Sequence, residues 1–210
     1  VTWTEISDDA ALTALLGEPT AAARGKERST LTDVDRDWLA STPFCFLATA
    51  DAEGRCDVSP KGDPAGQLVH VIDETTIAIA ERPGNRRADG YRNILANGQV
   101  GLNFLIPGRG DTLRINGRAR LVSEAPFFDD LVVKGHRPLL AVVVEIETVF
   151  FHCAKAFLRS QLWHPETWEP EAIVPRRAVL AQRLERPETS IEELDDYYGQ
   201  SYEERLYVQP

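Results

Sequence analysis

The chain has 210 residues, 43% hydrophobic and 27% charged, enough to bury one sizeable core without disulfides or a structural metal. No apolar run approaches the roughly 20 residues that a membrane helix needs, so a soluble protein without a membrane partner is expected. A formal net charge of −10 and a pI near 4.9 argue against a nucleic-acid partner, whose phosphates need clustered Lys and Arg, so any cationic site has to be local.

From the first residue, "VTWTEISDDAALTALLG" lacks the basic start and long apolar stretch of a signal peptide and predicts a short helix over Asp8 to Leu16. Because the sequence contains no methionine, an initiator residue is expected to have been removed or left unnumbered. In "LTDVDRDWLAST", Thr32 is placed to cap a second helix that ends before Pro43. Strands follow: "FCFLATAD" and "CDVSP" flank the turn-like "AEGR", and "LVHVID" with "TTIAIA" forms a second antiparallel pair that turns at Asp73 to Thr75.

The stretch "AERPGNRRADGYRNILANG" predicts a helix from Arg86 onward, with Asn85 as N-cap, Ile94 and Leu95 apolar, and Gly98 ending it. Two arginines in a first helical turn have the wrong sign for the dipole. Either Asp89 neutralises them, or an anion outside the helix is clamped by guanidinium groups and backbone N–H groups together.

Beyond it come the strand "QVGLNFLI", a "PGRGD" loop and the strand "TLRINGRARLV", in which Gly117 marks a bulge or close contact. "SEAPFFDDLVV" predicts a short helix with Ser123 as cap and Pro126 in the first turn. "LLAVVVEIETVFFHCA" is the most strand-like run, with Val142, Val144, Ile146 and Phe150 on one face and Glu145 and Glu147 on the other. After Trp168, the composition predicts two helices separated near Pro187 and an acidic end, a packing arm or a mobile tail. Short strands with a few helices indicate a closed or partly closed antiparallel barrel of the α+β class.

Cys45, Cys56 and Cys153 are odd in number and widely spaced, which suits neither a disulfide framework nor a metal site and points to a reducing cytoplasm. His70, His136, His152 and His164 show no metal-ligand spacing, so no metal is expected. Ser59 lacks a G-x-S-x-G elbow, and the glycine-rich fingerprints of dinucleotide and triphosphate folds are absent. What remains are cations grouped with Ser, Gly and Pro at strand ends: Ser59 and Lys61 in "VSPKGD", Arg82, Asn85, Arg86 and Arg87 in "ERPGNRR", and Lys155, Arg159 and Ser160 in "CAKAFLRSQLW". A solvated surface would pair Arg86 and Arg87 with Asp89 and Glu81, and Lys61 with Asp63. A ligand site would instead use the close backbone approach that small residues permit.

In order and spacing, "FCFLATADAEGRCDVSPKGDPAG", "IAERPGNRRADGYRNILANGQVGLNFLIPGRGDTLRINGRARL" and "FFHCAKAFLRSQLWHPETW" resemble the FMN-binding split-barrel proteins related to pyridoxamine 5'-phosphate oxidase. The likeness covers roughly Trp38 to Trp168 and is nearest to a bacterial branch with S-P-K-G, R-P-G-N-R and L-R-x-N-G-x-A. It implies an antiparallel Greek-key split barrel, one domain over 1–210 with a barrel core about 41–165 and a helical extension about 170–210. It further implies a homodimer with FMN in clefts between subunits, acting as an oxidoreductase on a small-molecule substrate.

On that likeness, Ser59, Lys61 and Gly62 line the flavin, Arg82, Asn85, Arg86 and Arg87 hold its phosphate, and Lys155, Ser160 and Trp163 close the site from the partner chain. A phosphate monoester would explain the paired arginines. True pyridoxamine 5'-phosphate oxidases carry R-x-V-L-L-K where this chain has "CDVSPK", so only Lys61 carries over. The ending "EERLYVQP" is similar to their R-L-x-P over too short a span to weigh. A protein that stores or senses flavin, or another phosphorylated or tetrapyrrole ligand, without turnover, and a deazaflavin-dependent reductase, stay as alternatives.

Overall fold

The structure is a computed structural model that describes residues 2–170 and 175–208. Three helices precede the sheet: α1 (Asp9–Leu16), α2 (Ala21–Arg24) and α3 (Asp33–Ser41). Asp8 and Thr20 cap the first two by accepting from the Ala11 and Ala23 amides. As expected, Thr32 caps α3, in a reciprocal capping box with Asp35. Asp35 is buried and held by the Arg28 guanidinium through both oxygens. Burial pushes its carboxyl up, but the bonds from Arg28 and Thr32 outweigh that and hold it below the usual carboxylate range.

Among the described residues, seven strands form one antiparallel sheet: β1 (Phe44–Ala50), β2 (Cys56–Gly62), β3 (Val69–Val71), β4 (Thr76–Ala80), β5 (Gln99–Leu105), β6 (Thr112–Val122) and β7 (Ala141–His152). Their order is β2-β1-β5-β6-β7-β4-β3. The two predicted hairpins and the β5-β6-β7 meander are present, joined where β1 pairs with β5 and β4 pairs with β7. The sheet does not close, because β2 and β3 remain its two edges. The split-barrel expectation therefore holds, and full closure does not. Inside its curve lie Leu39 from α3 and Leu47, Ile77, Phe104, Leu113 and Ile115 from the strands, all essentially inaccessible.

Gly117 marks the predicted bulge. The register passes from Asn116 opposite Thr148 to Gly117 opposite Ile146, leaving Glu147 as an extra residue in β7. A Cβ on Gly117 would lie 2.0 Å from the Glu145 carbonyl oxygen, so no larger residue fits without moving backbone. The extra residue also reverses the alternation of β7. Val142, Val144 and Ile146 join the main core, but beyond the bulge Val149 takes the core position. Phe150, expected on the same face as Val142, instead lies beneath Lys26 and Arg114 on the other side of the sheet.

Three further expectations are corrected. Ser123 caps nothing; a 3-10 helix over Pro126–Leu131 starts after Ala125, with Pro126 in its first turn. Among its described residues the extension holds three helices rather than two: α6 (Arg177–Leu184), α7 (Ile191–Tyr197) and α8 (Gln200–Glu204), after α5 (Lys155–Ser160). Helices α6 and α7 pack on each other through Ala178, Ala181 and Leu194, with Tyr198 against them. The predicted Arg86 helix starts later: α4 is Asp89–Ala96, and its end at Asn97 with Gly98 in the left-handed region agrees with the sequence.

Candidate functional site

The site begins with an anomaly of alternation in β2. Its residues Asp57, Ser59 and Lys61 stand opposite Thr49, Leu47 and Cys45, which are buried, so all six share the inward face of the sheet. An inward row on a barrel strand is ordinarily apolar. Here it is Asp, Ser and Lys, while Val58 faces outward and is 58% exposed. These inward polar groups border a cleft of about 560 Å³, whose other walls are the segment from Ala80 to Tyr91 and, from far along the chain, Leu206 and Tyr207. That size lies within the range of small-molecule and cofactor sites.

Facing β2 is the loop between β4 and α4. Arg86 and Ala88 take left-handed backbone conformations, with φ of 60° and 57°, which no helical first turn allows. Asn85 does not cap the helix; its Oδ1 accepts from the Arg87 amide at 3.1 Å, a local bond that competes with helix formation. Asp89 then supplies the acidic first turn. The two arginines therefore sit in a loop ahead of the helix. The Arg87 amide is taken by Asn85, so within this loop the guanidinium groups are the donors left to face an anion.

Lys61, Arg82 and Arg87 each have a local counter-charge. Lys61 Nζ donates to the Tyr91 hydroxyl at 2.6 Å and to Glu81 at 3.2 Å, and lies 4.7 Å from the Tyr91 ring centre. Its partner is thus Glu81 and not Asp63. Arg82 Nε donates to Asp63 at 2.8 Å and its Nη2 to the Leu131 carbonyl at 2.9 Å. Arg87 pairs with Asp89 at 2.7 Å on the surface, and Arg92 donates to the Arg87 carbonyl. Arg86 also has a bonding or electrostatic interaction within the protein. The formal charges of Lys61, Arg82, Arg86 and Arg87 are matched by Asp57, Asp63, Glu81 and Asp89 on the same walls. A bound anion would share these cations with their carboxylates rather than meet them bare.

Of the sequence-predicted residues, Ser59, Lys61, Gly62, Arg82, Asn85, Arg86 and Arg87 come together around this cleft. Lys155, Ser160 and Trp163 do not reach it within one chain. Lys155 and Ser160 bound α5, the Ser160 hydroxyl donates to the Phe157 carbonyl, and the Trp163 indole stacks on Phe157 and donates to the Arg109 carbonyl at 2.7 Å. Cys45, beneath Lys61, is inert: burial pushes its thiol up to about 12, against a small opposing effect of Lys61. Sequence reasoning missed Tyr91 and Tyr207. Tyr91 follows α4's start by a spacing that could have been read; Tyr207 carries no local signal at all.

The family profile described as pyridoxamine 5'-phosphate oxidase matches residues 31–153, more than half of the chain. No curated protein matches. Among solved structures, a protein from Lactobacillus delbrueckii provisionally described as a pyridoxamine 5'-phosphate oxidase is 24% identical, over 60% of this chain and 98% of its own, with a TM-score of 0.47. HupZ of Group A Streptococcus is 19% identical over 58% of this chain and 93% of its own, with a TM-score of 0.46. A Clostridium acetobutylicum protein related to general stress protein 26 is 12% identical over 57% and 86%, with a TM-score of 0.43.

Proposed function

The chain belongs to the pyridoxamine 5'-phosphate oxidase family, and from that premise we propose that it is an FMN-dependent oxidoreductase acting on a small molecule. The observation that carries this reading is the polar inward row Asp57, Ser59, Lys61 on an edge strand, facing an arginine loop across a cleft of about 560 Å³. An inward face favours apolar residues, whereas a polar, phosphorylated ring system would be served by this row.

The donor set fits FMN. The Arg86 and Arg87 guanidinium groups suit a phosphate monoester. Lys61, held by Tyr91 and Glu81, is oriented to meet negative charge on the ring, and the Ser59 hydroxyl can donate or accept at its edge. Bound flavin would supply the electron transfer, and the protein the orientation and electrostatics. Tyr91 and Glu81 keep the Lys61 ammonium fixed, so little reorganisation is needed when charge develops near it.

We further read the protein as a homodimer, in which Lys155, Ser160 and Trp163 of a second copy would complete the cleft. Phe46 and Val58, exposed on the outer face of β1 and β2, support a covered outer face. The test is the visible spectrum of protein purified without added cofactor, followed by turnover with NADH or NADPH and a panel of acceptors. A flavin spectrum with repeated reduction and reoxidation is expected. Flavin bound without turnover would leave a binding protein, a deazaflavin spectrum would replace the cofactor, and no chromophore with no FMN uptake would end the reading.

A further inference from the structure

We propose that Tyr207 sets the reach of the cleft: it partitions the main cavity from a second one, so that the site takes a mononucleotide and excludes a dinucleotide. The proposal rests on the flavin reading above and concerns a residue outside the 31–153 region shared with the family.

The Tyr207 hydroxyl donates to Asp63 Oδ1 at 3.0 Å, while Arg82 holds the other carboxylate oxygen at 2.8 Å. Asp63 is buried, so this phenol–carboxylate bond is shielded from water. The ring is gripped as well: the Arg82 guanidinium lies 5.7 Å and the Lys134 ammonium 5.4 Å from its centre, and the His136 ring is stacked at 6.4 Å. A residue from beyond α8 is thereby seated as a wall between the β4 exit and the turn at Gly135.

On the far side of that wall is a second cavity of about 170 Å³, lined by Gly135, His136, Arg137 and Pro138. The two cavities have Glu81, Arg82, Pro83 and Tyr207 in common. Glu81 to Pro83 are the chain leaving β4, and among the described residues Tyr207 is the one side chain brought to the divide from elsewhere. The second cavity has Arg82, His136 and Arg137 against Glu81, a lining suited to one more anionic group, although Arg137 is also paired with Glu124 and Asp129. A ligand phosphate at the arginine loop, extended by a second phosphate, would direct that group toward this space, and the tyrosine ring stands in its way. Cutting the ring back to a methyl joins the cavities.

The experiment titrates FMN and FAD into the full-length wild type, Tyr207→Phe, Tyr207→Leu and Tyr207→Ala, with thermal melting to establish folding and hydrogen exchange of the ligand-free proteins. Wild type should prefer FMN over FAD. Tyr207→Ala should gain FAD affinity by about tenfold or more with FMN within about threefold. Tyr207→Phe, which keeps the ring and loses the bond to Asp63, should keep the exclusion, and Tyr207→Leu should fall between. In the ligand-free protein, Tyr207→Ala should speed exchange at residues 81–82 and 135–137 together, and Tyr207→Phe should not. An unchanged FMN-to-FAD ratio in Tyr207→Ala, or loss of FMN without gain of FAD, overturns the partition while leaving the flavin reading intact. If wild type binds neither flavin, the flavin reading falls, and the partition is decided by exchange: unchanged rates on either side of the divide overturn it.

Discussion

Lys61→Met separates a lysine that serves a ligand from one that serves the fold. Its side chain is 16% exposed and makes a hydrogen bond to the Tyr91 hydroxyl and an ion pair with Glu81, which is itself 31% exposed. Methionine fills similar space without charge. Losing the Tyr91 bond, made by a charged donor, costs about 1.5 kcal/mol, and losing a partly exposed ion pair costs less than about 1 kcal/mol. Relief of the ammonium's own desolvation offsets part of both. The melting temperature of the ligand-free protein should therefore fall by only about 2–6 °C. A charge-assisted bond to the flavin ring is worth about 1.5–3 kcal/mol, but Lys61 has to share its protons with Glu81, which places the effect in the lower half of that range. The expected loss is about tenfold to thirtyfold in affinity. Because the interaction is with the ring, riboflavin should lose as much as FMN. Fluorescence titration of both ligands reads this directly. A variant with unchanged flavin affinity and a melting temperature lowered by more than about 10 °C would refute the reasoning and make Lys61 a core residue.

Arg86→Ala and Arg87→Ala should weaken FMN and leave riboflavin untouched; since Arg87 is 76% exposed and already paired with Asp89, its loss should cost only about threefold to tenfold in titration. Gly117→Ala drives a methyl into the Glu145 carbonyl and should cost about 3 kcal/mol or more, seen as a fall of about 6–12 °C in melting temperature. Asp35→Asn breaks the pair between a buried carboxylate and the part-exposed Arg28 and should cost about 1.5–3 kcal/mol at neutral pH in denaturant unfolding. Because the folded carboxyl titrates below its unfolded value near 3.9, that contribution is fully present above about pH 4. It is lost as pH falls through the folded value, so wild type and variant should converge in acid.

The sheet was legible because its signals are local. Alternation, turn residues and the Thr32 cap placed both hairpins, α3 and β5, and Gly117 announced its bulge. What the bulge does downstream was not legible: one extra residue opposite Gly117 turns Phe150 out of the core and Val149 into it, a consequence of pairing rather than of the β7 sequence. The start of α4 was misplaced for a similar reason, since left-handed Arg86 and Ala88 are held by the surrounding loop and no propensity marks them. At the site, Lys61 and the arginine loop border one cleft, but the counter-charges of Lys61 were not foreseen. Lys61 was paired on paper with the neighbouring Asp63, whereas the inward row of β2 brings it to Glu81 and Tyr91. Tyr207 lies 144 residues from the Asp63 it bonds, and no sequence spacing predicts such a contact.

The central claim, that flavin lies between β2 and the β4–α4 loop, is tested most directly by hydrogen exchange of the protein with and without FMN. Protection is expected in both 57–62 and 84–91, the two walls of the cleft, with riboflavin protecting the first and sparing the second. FMN protection confined to other parts of the sheet, or to one wall alone, would contradict the account.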